Sequence, residues 1–156
     1  MIKTLLKEVK EYKKDTLLSP VYVSIEAILE VLIPFLMAIL VDNGIEKGDM
    51  KSIWFYGFLM LVAASVSLWA GAKSGKHAAI ASSGFAKNLR KAEYRKIQEF
   101  SFSNVDAYST SGLITRMMTD VTNIQNAYQM MIRVCVRAPL MLIASLVMAF
   151  IINRHI

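Results

Sequence analysis

Glu26 and Glu30 stand one helical turn apart in an otherwise uncharged run, Leu17 to Val41, near its middle. An ionised side chain at the centre of a spanning helix costs roughly 2.5–3.5 kcal/mol on insertion scales, so such a pair needs a reason. Three are open: the pair lines a water-filled cavity and meets cationic cargo, it stays protonated, or it hydrogen-bonds a neighbouring helix. Little other chemistry is written in the chain. His77 and His155 match no ligand spacing, and a lone cysteine, Cys135, closes no internal disulfide and builds no cysteine metal site, so no metal is expected. "GAKSGKHA" (71–78) contains a Gly-Lys pair without the G-x-x-x-x-G-K-[S/T] spacing or preceding strand of a phosphate-binding loop. No nucleophile–base constellation occurs, which argues against a stand-alone enzyme.

The elements that must position these residues are of membrane type. Of the 156 residues, 55% are hydrophobic and 19% charged, whereas roughly a quarter are charged in soluble domains. Residues 17–41 form the first span candidate, since about 20 apolar residues cross the hydrocarbon. Pro20 lies near its start, and Pro34 is expected to kink it. A short polar link, "DNGIEKGDMKS" (42–52), follows. Ile53 to Ala72 has no charge in 20 residues, with Trp54, Tyr56 and Trp69 placed as interfacial aromatics. A third span runs over 134–152. Ahead of all three, residues 1–16 set an apolar stripe (Ile2, Leu5, Leu6, Val9, Tyr12) against a basic face (Lys3, Lys7, Lys10, Lys14). That is the pattern of a helix lying in the membrane interface; its broken apolar run and missing cleavage site argue against a signal peptide.

Of the 18 basic residues, five precede the first span, ten lie between Lys73 and Arg137, and three lie elsewhere. This bias places the N-terminus and 73–137 on the cytoplasmic side, and as a topology signal it displaces the nucleic-acid reading of a net charge of +6. Phe85, Leu89, Ala92, Ile97 and Phe100 keep near-helical spacing, and no proline separates Pro34 from Pro139. One helix over 53–100 would be about 70 Å long at 1.5 Å per residue, against about 30 Å of hydrocarbon. A return helix over 112–152, with Leu113, Met117, Val121, Ile124, Tyr128, Met131 and Cys135 as its stripe, completes a cytoplasmic hairpin. Its tip is 101–111, where Phe102, Val105 and Tyr108 recur every third residue among serines of helix-capping type. The tip is either a docking helix or a solvated turn. Arg116 and Asp120 are spaced for an i,i+4 ion pair worth about 0.2–0.5 kcal/mol. Arg137, ahead of Pro139, is expected to snorkel to the interface. Met37, Met60, Trp69, Met141 and Met148 suit either an adaptable cavity wall or ordinary packing.

"SFSNVDAYSTSGLITRMMTDVTNIQ" (101–125) resembles the first intracellular loop of ABC exporter transmembrane domains, of the multidrug half-transporter kind. Gly112, Leu113, Thr115, Arg116 and Asp120 match the family's G-x-L-x-[S/T]-R-x-x-x-D run. "RAPLMLIASLVMAFIIN" (137–153) is similar to its third span, "VDNGIEKGDM" (41–50) to its first external link, and residues 1–16 to its elbow helix. The resemblance implies an all-α membrane protein: an elbow helix (1–16) and three long transmembrane helices (17–41, 53–100 and 112–152), two of them extended into the cytoplasmic hairpin. It implies that Phe102, Ser103, Asn104, Val105, Asp106, Ala107 and Tyr108 form the first coupling helix, resting on a nucleotide-binding domain, with Arg116 and Asp120 as a loop ion pair. It also implies that ATP and Mg are bound in that other domain, with no cofactor in this chain. The implied partners are membrane lipid, nucleotide-binding domains and a second half-transporter, in a heterodimer or alternatively a homodimer. The implied cargo is a hydrophobic or amphipathic small molecule or peptide, with Glu26 and Glu30 as candidates for the substrate cavity. The implied location is the plasma (inner) membrane. A full half-transporter has six spans and a nucleotide-binding domain, so the chain is expected to be the N-terminal three-span part, unable to hydrolyse ATP alone. The rival is a membrane signalling protein that passes conformational change through the hairpin, although 42–52 leaves no room for an external sensing domain.

Overall fold

A computed structural model describes residues 8–99 and 110–153, and every regular element among them is helical. A 3-10 turn, Lys10–Tyr12, runs directly into α1, Lys13–Leu40, which a wide π turn, Val41–Ile45, closes. α2 is Met50–Gln98; a short α3, Thr110–Thr115, a second π turn, Arg116–Asp120, and α4, Val121–Asn153, follow. Three stretches, Lys10–Ile45, Met50–Gln98 and Met117–Phe150, are long and apolar enough to cross a membrane. The all-α membrane fold with three long helices is therefore the one the sequence implies.

α2 begins at Met50, ahead of the expected Ile53, because Asp49 caps it. The Asp49 carboxylate accepts from the Ser52 hydroxyl at 2.6 Å and from the Lys51 N–H at 3.1 Å. The Ser52 bond, then the Lys51 bond, hold this carboxyl below its ordinary value. The helix then continues for 49 residues, about 74 Å at 1.5 Å per residue, with no proline to remove a backbone bond.

α1 and α2 are antiparallel. Tyr12 lies on Gly84, Asp15 on His77, Ser19 on Ser74 and Glu26 on Gly71. Small buried residues on α2, among them Ala63, Ala70, Ser74, Ala78 and Ala81, let the two backbones approach closely. Ser19 and Ser74 are fully buried, and each hydroxyl donates to the other residue's backbone carbonyl at 3.2 Å. Neither buried hydroxyl is left without a partner.

α2 and α4 form an antiparallel hairpin beyond the apolar spans. Ser82 faces Gln129, Ser83 faces Gln125 and Arg90 faces Thr122. The Phe85 and Tyr128 rings stack at 4.6 Å, inside a core of Val9, Ala81, Ala86, Leu89, Val121 and Ile132. Large apolar side chains outside that core, such as Trp54, Phe58, Leu61 and Phe150, are exposed on the outer faces of the spans.

Three expectations change. Residues 13–16 belong to α1, and Val9 and Tyr12 pack into the hairpin core rather than against lipid. The single helix expected over 112–152 is interrupted by the π turn Arg116–Asp120. Downstream of that turn the buried seam passes through Val121, Tyr128 and Ile132, while Met131 and Cys135 are exposed. Tyr128 and Ile132 are four residues apart, on one face of a 3.6-residue period, so the seam continues through Ile132 in place of Met131. Residues 1–7 and most of the proposed tip 101–111 lie outside the described residues, while the last two of the tip, Thr110 and Ser111, belong to α3.

Candidate functional site

Glu26 and Glu30 face the same way on α1, one turn apart, and α4 brings Arg137 to both. Arg137 Nη2 donates to both oxygens of Glu30 at 2.7 Å, and Nη1 stands 3.6 Å from Glu26 Oε1. Arg137 therefore does not simply snorkel toward headgroups. A guanidinium held within reach of two carboxylates in apolar surroundings pairs with them, since leaving either charge alone would cost more. Among the three possible reasons for the glutamate pair, hydrogen bonding to a neighbouring helix holds for Glu30.

Gly71 makes room for Glu26: a Cβ at that position would stand 2.9 Å from Glu26 Oε1. This contact also sets the depth of the pair. At the far end of the same helices Gly44 packs on Ile53, so the Glu26–Gly71 level lies about 27 Å away at 1.5 Å per residue. With a hydrocarbon layer of about 30 Å, Glu26 sits near the boundary marked by Lys73, not in the middle as its place in 17–41 suggests. Glu30 lies one turn deeper, which keeps the desolvation cost of the cluster below that of a mid-membrane charge.

Between α1 and α2 the pair lines an open cleft of about 450 Å³, whose other walls are Ile33, Ala64, Ser67, Leu68, Gly71 and Ala72. None of Met37, Met60, Trp69, Met141 and Met148 lines it. A second cleft, about 500 Å³, runs along α4 past Asn126, Gln129, Met130, Arg133 and Val134 to Arg137, so the guanidinium that pairs with the carboxylates of the first cleft lines the second.

On the basic side of the cluster, His77 Nδ1 lies 2.7 Å from Asp15 Oδ1. The His77 ring stacks on Tyr22, and Tyr22 meets Trp69 edge-on at 5.7 Å. Lys73 lies over the Trp69 ring. These contacts clamp α1 and α2 at the level where a bilayer turns polar. Sequence reasoning placed Trp69 there and missed its partners; the opposite charges on Glu30 and Arg137, on different spans, were the available sign of the interhelix pair.

Most of the remaining candidates fall outside the described residues. Phe102, Ser103, Asn104, Val105, Asp106, Ala107 and Tyr108 lie outside the described residues, as does the Arg116 side chain. Asp120 is exposed at the end of the π turn. Its charge acts on Glu93 of α2, whose carboxyl is pushed above its ordinary value by burial first and by Asp120 second, with Arg90 opposing. Segment 71–78 is continuous α-helix within α2, so its backbone N–H groups are committed to the helix and form no phosphate-cradling loop.

Comparison with known proteins gives these helices a family. The ABC transporter transmembrane region family matches residues 17–155. A Bacillus subtilis (strain 168) protein named as an uncharacterized ABC transporter ATP-binding protein, YfiB, is 37% identical over 128 residues, covering 82% of this chain and 22% of its own length. A Mycobacterium bovis protein named as an ABC transporter ATP-binding protein is 27% identical over 157 residues, covering 96% of this chain and 26% of its own length. An ATP-dependent lipid A-core flippase of Albidiferax ferrireducens is 27% identical over 143 residues, covering 90% of this chain and 24% of its own length. The chain thus spans about a quarter of the length of the curated relatives it matches. Three membrane-crossing helices that carry this match make the chain a member of the ABC transporter transmembrane region family and part of the membrane-embedded permease of a transporter.

Proposed function

We propose that this permease segment is the N-terminal part of the membrane domain of an ATP-driven exporter, forming part of the cargo path and coupling it to a nucleotide-binding domain. The observation that supports this best is the length of α2. Its 49 residues extend about 74 Å, of which the hydrocarbon takes about 30 Å. Packed against α4 through Phe85 and Tyr128, the excess carries the end of α2 at Gln98 about 40 Å beyond the hydrocarbon. Phe102, Ser103, Asn104, Val105, Asp106, Ala107 and Tyr108 are the proposed contacts there, with Arg116 and Asp120 positioning the return.

ATP and Mg would be held by the partner domain, a reading supported by relatives named as ATP-binding proteins and by a flippase named as ATP-dependent. The concentration of basic residues at the N-terminus and on 73–137 supports a cytoplasmic N-terminus in a plasma (inner) membrane. A second half-transporter, in a heterodimer or a homodimer, would complete the cavity. Its cargo would be a hydrophobic or amphipathic small molecule or peptide, passing Glu26 and Glu30.

The test is disulfide trapping in the intact assembly. Ala107→Cys and Tyr108→Cys, each with Cys135→Ser, are expected to cross-link to a nucleotide-binding domain with a yield that nucleotide changes. Full reactivity of both positions toward soluble thiol reagents under every nucleotide condition overturns the docking role.

A further inference from the structure

The α1–α2 pair carries a separate polar cluster at the level where the hydrocarbon ends. The uncharged stretch Ile53 to Ala72 is about 30 Å long at 1.5 Å per residue. That is the thickness of the hydrocarbon layer, so Lys73 stands at its edge. His77 lies one turn further out on the same face of α2, and its Nδ1 donates to Asp15 Oδ1 of α1 at 2.7 Å. Trp69 lies one turn further in, with its ring half exposed. From the hydrocarbon outward, the order is therefore an aromatic ring, a cation and a carboxylate. Lys73 lies 5.7 Å from the Trp69 ring centre and forms no ion pair among the described residues. Its ammonium keeps N–H donors for an anion. The bond to His77 engages one oxygen of Asp15, and a carboxylate has lone pairs for further donors. The Asp15 side chain is 24% exposed, so such a donor can reach it.

A zwitterionic phospholipid presents the complementary charges in the same order, its phosphate nearer the chains and its ammonium beyond. An anionic headgroup would satisfy Lys73 and bring a second negative charge toward Asp15. A choline headgroup brings a positive charge with no N–H to donate, and quaternary ammonium groups are held in boxes of open aromatic faces. Here the rings pack on one another instead: Tyr22 lies parallel to His77, at an interplanar angle of 5°, and meets Trp69 edge-on at 5.7 Å. A primary ammonium needs no such box, only acceptors. We propose that Asp15, Lys73 and Trp69 bind the headgroup of phosphatidylethanolamine in the leaflet on the Lys73 side. Lys73 donates to the phosphate, Asp15 Oδ2 accepts from the ammonium, and Trp69 lies against the glycerol and the upper part of a chain. The site is independent of the cargo path. It gives the α1–α2 pair a preference among the lipids that surround it, because the wrong headgroup leaves Asp15 without a donor.

The test uses the full 156-residue chain in phosphatidylcholine nanodiscs, with Trp54→Phe so that Trp69 is the sole tryptophan. Phospholipids brominated close to the glycerol are doped in, and quenching of Trp69 reports their occupancy of the site. Phosphatidylethanolamine is expected to be preferred over phosphatidylcholine by about tenfold, as for one hydrogen bond to a charged group. Its mono- and dimethylated forms, which keep an N–H, are expected to hold most of that preference, and phosphatidylglycerol is expected to fall below it. Asp15→Asn is expected to bring phosphatidylethanolamine down to the level of phosphatidylcholine, whose own quenching stays unchanged. Lys73→Gln is expected to weaken quenching by every headgroup by a similar factor and to preserve the ratio between them, because the phosphate is common to all. Helical circular dichroism checks the variants, and the methylation series decides the matter without them if Asp15→Asn does not fold. Equal quenching by ethanolamine and choline lipids overturns the site and leaves the permease reading standing. Phosphatidylglycerol above phosphatidylethanolamine reduces the cluster to a basic patch and overturns the role of Asp15, as does an Asp15→Asn chain that keeps the full preference. Unchanged quenching by all headgroups in Lys73→Gln overturns the phosphate contact.

Discussion

Arg137 on α4 donates through one nitrogen to both carboxylate oxygens of Glu30 on α1, each at 2.7 Å, and so ties the third span to the first. The tie crosses between helices that are far apart in sequence and lie side by side at the basic end of the membrane layer. Arg137→Gln leaves Glu30 charged without its partner and is expected to destabilise the helix assembly by about 1–3 kcal/mol. Glu30→Gln with Arg137→Gln should cost less than the two single changes together, the non-additivity expected of a contacting pair. Thermal unfolding in nanodiscs, followed by circular dichroism, measures both; strict additivity would show that the pair does not interact.

The Tyr12 ring covers Gly84 so closely that a Cβ there would meet the ring carbons. Gly84→Ala is expected to displace Tyr12 and cost about 1–3 kcal/mol, as overpacking does in tight cores. Tyr12→Ala introduced with Gly84→Ala should relieve part of that cost. A fluorescence or hydrogen-exchange probe near Val9 reports whether the N-terminal turn detaches in Gly84→Ala and not in the parent chain.

Glu93 gives the hairpin a pH dependence. Burial and the neighbouring Asp120 raise its carboxyl above the ordinary value of 4.5, against the pull of Arg90. The folded chain therefore binds this proton more tightly than the unfolded chain. Its stabilising contribution is complete below about 4.5 and is lost as pH rises through the folded value. Glu93→Gln is expected to flatten this slope in melts between acidic and neutral pH and to raise the melting temperature at neutral pH. A steeper acid dependence in the variant would contradict the assignment.

Ser19 and Ser74 hold α1 against α2 by reciprocal hydroxyl-to-carbonyl bonds. Ser19→Ala or Ser74→Ala is expected to cost about 0.6–1.7 kcal/mol, the range of interhelix bonds between membrane helices. Ser74→Leu should cost more, about 1–3 kcal/mol, because a larger side chain separates the backbones. Cross-linking between cysteines placed at Tyr22 and Trp69 measures that separation.

Much of this architecture is written locally. The charge-free run 53–72, the absence of proline through α2 and the helix formers of 85–98 determine a helix far longer than a bilayer, because backbone hydrogen bonding and side-chain propensity act within a few residues. The same local reasoning identified Glu26 and Glu30 as residues needing a partner, because the cost of charge in hydrocarbon does not depend on which partner is found. Tertiary structure decided what no single helix contains. It gave Arg137 to both carboxylates, by hydrogen bonds to Glu30 and by an ion pair to Glu26. It placed Glu26 near the boundary through its contact with Gly71. It also moved Val9 and Tyr12 from the lipid interface into a protein core. Along α4 the seam continues from Tyr128 through Ile132, so that Ile132 is buried where Met131 and Cys135 were expected. Periodicity records which residues share a face. The axial register between helices is set by where small residues such as Ser74 and Gly84 let two backbones meet, and that depends on both surfaces at once.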